Sequence, residues 1–356
     1  MQIDFAPKTE NTEPGRWDRA GFVGDDGWRV SIPATVLDEF LISSAALSTS
    51  GTNWQNYRPG LIRLSKLELL AKRVQTELQG GTGVVLLQGL NTELLGEEQA
   101  RLFLVLLSTQ FAGIIGNYGR LYDVIDRGLS YKENSVPVSQ TNAATTFHTD
   151  SSALNTMPDV VGMLCLRQAK SGGESLLANA VDVHEKIRRA RPDLLARLYE
   201  DYVRDIVTPG TEKTYESLCA NRIPIFSYKR FSEGLSFRYM RYWIETGHQK
   251  AGHSLDSESI EALDYLDSLL EHGEQVVELS LNPGEILLIN NHTIAHNRRD
   301  YEDYEDPSKH RHVVRIWLKL QNGSTTRSPS CAVSQATTLE SGRAFVGSLR
   351  TLASTR

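Results

Sequence analysis

Apolar positions recur along this chain with two periods, and the change of period marks the elements. Leu67, Leu70, Ala71, Val74 and Leu78 are three to four residues apart, which predicts a helix. Ser65-Lys-Leu-Glu68 in front of it has the form of a capping box, and Gly80-Gly81 closes it. Further helices are predicted from about Glu97 to Phe111, from Val181 to about Tyr202 with a break before Pro192, and from Asp256 to Glu271. Short apolar runs between turn residues read as strands: 83–89, 160–166, 174–177, 223–228, 235–243, 275–281, 285–289 and 313–320. Ser171-Gly-Gly173 and Pro283-Gly284 are the clearest turns. The stretch from about Arg127 to Ala144 is long, polar and without period, which suggests a functional loop or lid.

Many short strands with a few helices predict a mainly β fold with flanking helices, a jelly-roll (double-stranded β-helix) barrel. Residues 1–30, rich in Gly and Pro, read as an N-terminal arm with a few short strands. No repeat or low-complexity linker divides the chain, so one elaborated domain over 1–356 is expected.

Composition narrows the function classes. A hydrophobic fraction of 40% and a charged fraction of 23% are those of an ordinary globular protein. The net charge of −6 offers no basic footprint for nucleic acid or an anionic membrane. The N-terminus lacks a signal pattern, and no apolar run is long enough to span a bilayer. Cys165, Cys219 and Cys331 are too few and too far apart for a disulfide framework or a Cys zinc site. The expectation is a cytoplasmic protein whose partner is a small-molecule substrate, with no nucleic acid and no membrane; a homo-oligomer is left open.

The candidate chemistry centres on Thr146-Phe-His148-Thr-Asp150. In an extended chain, residues i and i+2 share a face, so the imidazole and the carboxylate reach one ion. Two His and one carboxylate with open positions suit non-haem Fe(II) oxygenases. Spacing alone is weak, since 9 His and 44 acidic residues give about one His-x-Asp/Glu match by chance. The other match, His272-Gly-Glu274, reads instead as a helix end, where a His suits the dipole. The second His has two candidates, His292 and His296, which spacing does not separate. Downstream, Arg311, Val313 and Arg315 share a strand face. Two inward Arg are costly without anions and suggest a carboxylate-bearing ligand. The competing pattern puts Val314, Ile316 and Leu318 inward and both Arg on the surface. His184 reads as structural, His310 and His312 as support or surface, and 186–191 as a solvated basic face. In 237–243, one alternating face would look inward with an Arg.

Four motifs occur in order: Phe147-His-Thr-Asp150, Ser171-Gly-Gly-Glu-Ser175, Asn290-Asn291 with His296-Asn-Arg298, and Arg311-His-Val-Val-Arg315-Ile-Trp-Leu. With them the chain resembles the taurine dioxygenase/TfdA superfamily of Fe(II)- and 2-oxoglutarate-dependent oxygenases, in its clavaminate synthase-like branch. The resemblance spans about 80–320 as an oxygenase core. It implies His148, Asp150 and His296 as iron ligands and so selects His296 over His292. It implies Arg311 and Ser175 on the distal carboxylate of 2-oxoglutarate, and Arg315 on an anionic group of substrate or co-substrate. The implied reaction takes O2 and hydroxylates or desaturates a small polar metabolite, an amino acid or a natural product intermediate derived from one, releasing succinate and CO2. The competing readings are a metal-dependent hydrolase with the same ligands and a catalytically silent small-molecule-binding barrel.

Overall fold

A computed structural model of the chain describes residues 15–117, 119–129, 138–153, 157–206, 214–228, 232 and 234–321. The start of the expected arm (1–14), residues 130–137 of the long polar loop, and Cys331 lie outside the described residues.

Period-two runs become strands: β1 (Arg29–Ser31), β2 (Val84–Gln88), β3 (Ala112–Ile114), β4 (Tyr122–Val124), β5 (Val160–Arg167), β6 (Ser171–Gly172), β7 (Ser175–Asn179), β8 (Asp201–Val203), β9 (Arg222–Pro224), β10 (Phe226–Tyr228), β11 (Leu235–Phe237), β12 (Val276–Leu279), β13 (Ile286–Asn290), β14 (Ile294–Arg298), β15 (Tyr301–Glu302) and β16 (His312–Leu320). The larger sheet runs β1-β2-β13-β5-β16-β3, with β4 also on β16. The smaller runs β12-β7-β14. The mainly β fold with flanking helices is thus present. Its jelly roll consists of two packed sheets, and no closed barrel forms among the described residues.

The strands are apolar on both faces because both faces are covered. Val160, Leu164, Ile286, Leu288, Val314, Ile316 and Leu318 pack under the helices Ala34–Thr49, Ser65–Gly80 and Thr92–Ser108. The alternate residues, Val161, Cys165, Leu287, Ile289 and Trp317, meet Leu177, Val277 and Ile294 of the smaller sheet. Each such side chain contributes roughly 1.5–3 kcal/mol of burial. The outer face of the smaller sheet packs on the helices Ala180–Ala190, Pro192–Leu198 and Ser257–His272. This alternation settles the orientation of β16. Val314, Ile316 and Leu318 turn to the helices, so Arg311, Val313, Arg315 and Trp317 face the space between the sheets.

Several local expectations change. Ser65 is the first helical residue and forms no capping box. The Glu39 carboxylate takes the N–H groups of Lys66 and Leu67 at 3.0 and 2.9 Å instead. The helix expected from Glu97 begins at Thr92, capped by Asn91, and kinks at Gly96. The strand expected over 235–243 stops at Phe237, and Arg241–Lys250 is a helix. Arg241 is held there by Glu245, Asp264 and Asp267, so it does not face the site. The helix Ala34–Thr49 has no counterpart in the sequence reading.

Candidate metal centre

The loop carrying His148 and Asp150 is a single bridge and a turn, where the sequence pattern suggested a strand. His148 N–H donates to the carbonyl of His296 at 3.0 Å, and His296 N–H donates back at 2.9 Å. Both backbone bonds of one antiparallel pair therefore join the two imidazole-bearing residues. Thr149 points away and is clamped by the Tyr239 backbone, whose N–H donates to Thr149 Oγ1 at 3.1 Å. Asp150 N–H donates to Asn291 Oδ1 at 2.9 Å, and Asn291 Nδ2 donates to the Asp150 carbonyl at 3.0 Å. The next residue, Ser151, has φ 57°, a left-handed conformation unusual for a non-glycine residue.

These constraints bring together His148 Nε2, His296 Nε2 and Asp150 Oδ1. The carboxylate oxygen is 3.7 Å from each nitrogen. That is too long for a hydrogen bond. It fits two donors each about 2.1 Å from one shared ion, which lie at most about 4.2 Å apart. His148 Nδ1 lies 2.8 Å from the Thr146 carbonyl. A proton on Nδ1 bonded there leaves the Nε2 lone pair for a metal. Among the described residues, this is the cluster of His, Cys, Asp and Glu whose ligand atoms converge in this way.

The electrostatics suit a cation. Burial alone would raise the Asp150 pKa, but Arg315 and the two imidazoles outweigh it and hold the carboxyl well below its usual range. Burial, and then His148, push His296 down to about 3, so it stays neutral and able to ligate. Trp317 Nε1 donates to Asp150 Oδ2 at 2.6 Å. Arg315 lies 3.3 Å from the same carboxylate, with its guanidinium carbon 5.0 Å from the Tyr122 ring centroid and 4.9 Å from that of Trp317. A small cavity beside it is lined by Ile115, Gly119, Arg120, Tyr122, Arg315 and Trp317.

His292, the other candidate ligand, is committed elsewhere. Its Nδ1 lies 2.9 Å from Ser236 Oγ and its Nε2 2.9 Å from Asp159 Oδ1. Ser236 is fully buried, so this Ser-His-Asp arrangement is a structural strut and not a hydrolase site. His312 is tied to Asp123 at 2.8 Å, beside Arg101 and Arg167. His272 is exposed at the end of its helix.

Arg311 lies against the turn Gly172-Gly173, two residues before Ser175. Arg311 is buried against Tyr301, and its backbone N–H donates to Asp303 Oδ1 at 2.7 Å. Gly173 has φ +79°, and a Cβ there would sit 3.0 Å from Arg311 Nε. Ser175, two residues on, is buried and registers opposite Arg298 across β7 and β14. The sequence reading assigned no role to Trp317, Asn291, Tyr239 or Tyr301. Trp317 was detectable, since it follows Arg315 by two on one strand.

The model of the taurine catabolism dioxygenase TauD, TfdA family matches residues 56–317. The chain belongs to this family. FR-33289 synthase of Streptomyces rubellomurinus is 27% identical over 319 residues, covering 86% of this chain and 89% of that protein. An asparagine oxygenase structure in complex with Fe(II), 2S,3S-3-hydroxyasparagine and succinate superposes with a TM-score of 0.61 at 16% identity, covering 82% of this chain and 93% of that one. The non-heme iron oxygenase OrfP with Fe and alpha-ketoglutaric acid gives 0.59 at 15% identity, over 82% and 93%. As a TauD/TfdA protein, the chain is an Fe(II)- and 2-oxoglutarate-dependent dioxygenase, an oxidoreductase.

Proposed function

We propose that His148, Asp150 and His296 hold the Fe(II), that Arg311 and Ser175 hold the distal carboxylate of 2-oxoglutarate, and that Arg315 takes a carboxylate of the substrate. The substrate is an amino acid or a metabolite derived from one. The observation that carries this reading is the convergence of two imidazole nitrogens on one carboxylate oxygen at 3.7 Å, in a chain of this family. The amino-acid class is supported by Arg315 beside the cavity, whose buried Nε makes no hydrogen bond among the described residues. It is also supported by relatives described with hydroxyasparagine and hydroxy-L-Arg. Iron, 2-oxoglutarate and O2 together supply the oxidising chemistry: 2-oxoglutarate, O2 and R–H give succinate, CO2 and R–OH, or a desaturated product and water.

The chain's own residues do the placing. Trp317 occupies Oδ2 of Asp150 and leaves Oδ1 toward both imidazoles. The backbone pair between His148 and His296 fixes their separation, with ring centroids 4.3 Å apart. Arg311 and Ser175 orient the co-substrate through charge-assisted bonds of roughly 1.5–3 kcal/mol each. Arg315 aligns a substrate carboxylate next to the metal ligands.

The test is succinate release from 2-oxoglutarate under Fe(II) and air, with amino acids screened by mass spectrometry for gain of one oxygen or loss of two hydrogens. Release should vanish in His148→Ala and in His296→Ala. Wild-type protein that releases no succinate with any substrate would sink the proposal. A 2-oxoglutarate KM left unchanged by Arg311→Ala would move the co-substrate contact to another residue.

A further inference from the structure

Three buried donors lie unpaired around one aromatic ring. Arg298 Nε, Arg311 Nη1 and the Tyr301 hydroxyl make no hydrogen bond among the described residues. The guanidinium carbons of Arg298 and Arg311 are 4.9 and 5.1 Å from the Tyr301 ring centroid. All three residues are less than one-tenth exposed. No described carboxylate forms an ion pair with either guanidinium. Two buried cations side by side are costly unless an anion joins them.

The ring alone would satisfy the cations through its face. The hydroxyl adds a cost, because a buried phenol usually needs a partner. It lies beside Arg311 without a hydrogen bond of good geometry to it. Burial raises its pKa, so it keeps its proton and serves as a donor. The backbone brings the remaining pieces to the same place. Tyr301 pairs with Gly172, and a Cβ on Gly173 would sit 3.4 Å from Tyr301 Cβ and 3.0 Å from Arg311 Nε. Ser175 stands opposite Arg298 in the register.

We propose that Tyr301 donates its phenolic hydrogen to the distal carboxylate of 2-oxoglutarate and that Arg298 supplies a second positive charge to that subsite. The inference rests on the reading of Arg311 and Ser175 as co-substrate contacts. A carboxylate accepts about four hydrogen bonds. Two come from the Arg311 fork, one from Ser175 and one from Tyr301. Arg298 is a positioning residue. Its Nη2 donates to the carbonyls of Thr141, at 3.0 Å, and Ala143, and so ties the approach to His148 to this cluster.

The experiment uses Tyr301→Phe, which keeps the ring beside both arginines and removes only the hydroxyl. The Fe(II)-loaded proteins are titrated anaerobically with 2-oxoglutarate and with 2-oxopentanoate, which has the same chain length and no distal carboxylate. Binding is followed by calorimetry, with thermal unfolding as a check on folding. Tyr301→Phe should bind 2-oxoglutarate about tenfold to a hundredfold more weakly, the loss of one hydrogen bond to a charged group. Its affinities for 2-oxopentanoate and for iron should match the wild type. Equal 2-oxoglutarate affinity in the two proteins overturns the role of Tyr301, as does an equal loss for both keto acids. Wild-type protein that binds neither keto acid overturns the co-substrate assignment, and this inference with it.

Discussion

Trp317 donates its indole N–H to Oδ2 of Asp150 at 2.6 Å, from the same face of β16 that carries Arg315. One strand therefore both fixes the carboxylate and lines the cavity beside it. The bond leaves Oδ1 as the oxygen offered to the two imidazoles. Trp317→Phe keeps most of the buried ring and removes the donor. We expect iron affinity to fall about tenfold to a hundredfold, the usual range when a hydrogen bond to a metal ligand is lost. Anaerobic titration of Fe(II) into apo-protein measures it, and unchanged affinity would show that the indole is only packing.

Asn291 and His292 are neighbours with separate tasks. Asn291 is fully buried and bonds both backbone groups of Asp150 and the Pro158 carbonyl. Asn291→Ala should lower stability by about 1–3 kcal/mol, through groups left unpaired, and weaken iron binding as well. His292→Ala leaves Ser236 Oγ without its imidazole partner, while Asp159 keeps Lys319 and the Leu320 N–H, and should cost about 1–2 kcal/mol of stability. It should leave iron affinity near wild type in protein that folds. Denaturant unfolding beside iron titration separates the two. Loss of iron in His292→Ala with retention in His296→Ala would reverse the ligand assignment.

The places of His292 and His296 in the fold show what a sequence carries and what it does not. The nearness of His148 and Asp150 was legible because two residues of extended chain bring side chains to one side, and this survives although the segment is a bridge and a turn. His296 was not separable from His292 by spacing. Its place beside Asp150 depends on a backbone pair 148 residues back along the chain, while His292 is claimed by Ser236 and Asp159, which are 56 and 133 residues away. The strand set was legible from apolar runs. The extent of 235–243 was not, because Arg241 belongs to a helix through acidic groups on another helix. Glu39 capping the helix that begins at Ser65 is likewise a tertiary contact, invisible to a local motif. The helix Ala34–Thr49 was legible in principle, since Val36, Phe40, Ser43 and Leu47 are buried at helical spacing. Its serines hid the stripe.

Gly173 couples the fold to the co-substrate reading. Its φ of +79° lies in the left-handed region, and an added Cβ would press on Arg311 Nε at 3.0 Å and on Cδ at 3.3 Å. Gly173→Ala should lose about 1–2 kcal/mol of stability from the backbone conformation alone. By displacing Arg311 it should also weaken 2-oxoglutarate binding several-fold, about 1 kcal/mol. Iron affinity should hold, because His148, Asp150 and His296 do not touch this turn. Full 2-oxoglutarate affinity in a folded, destabilised Gly173→Ala would detach Arg311 from the co-substrate.

His184 supplies a pH dependence independent of the metal centre. It is buried, with Nε2 2.9 Å from the Tyr199 hydroxyl and its ring 5.0 Å from that of Phe226. Burial lowers its pKa from 6.5 to about 4; Glu185 opposes the shift and Arg188 adds to it. Above the unfolded value neither state binds the proton, so the full stability is present. As pH falls from 6.5 toward 4, the unfolded chain takes up a proton that the folded chain refuses, and stability drops. The loss reaches about 3 kcal/mol once pH passes below the folded value, at about 1.4 kcal/mol per pH unit in between. Urea unfolding of metal-free protein at about pH 7.5 and about pH 5 should show the wild type losing about 2 kcal/mol more than His184→Leu. The comparison cancels every other group that titrates in that window. Equal losses in the two proteins would mean that the imidazole accepts its proton in place, with Tyr199 or Glu185 compensating, and that burial does not keep it neutral.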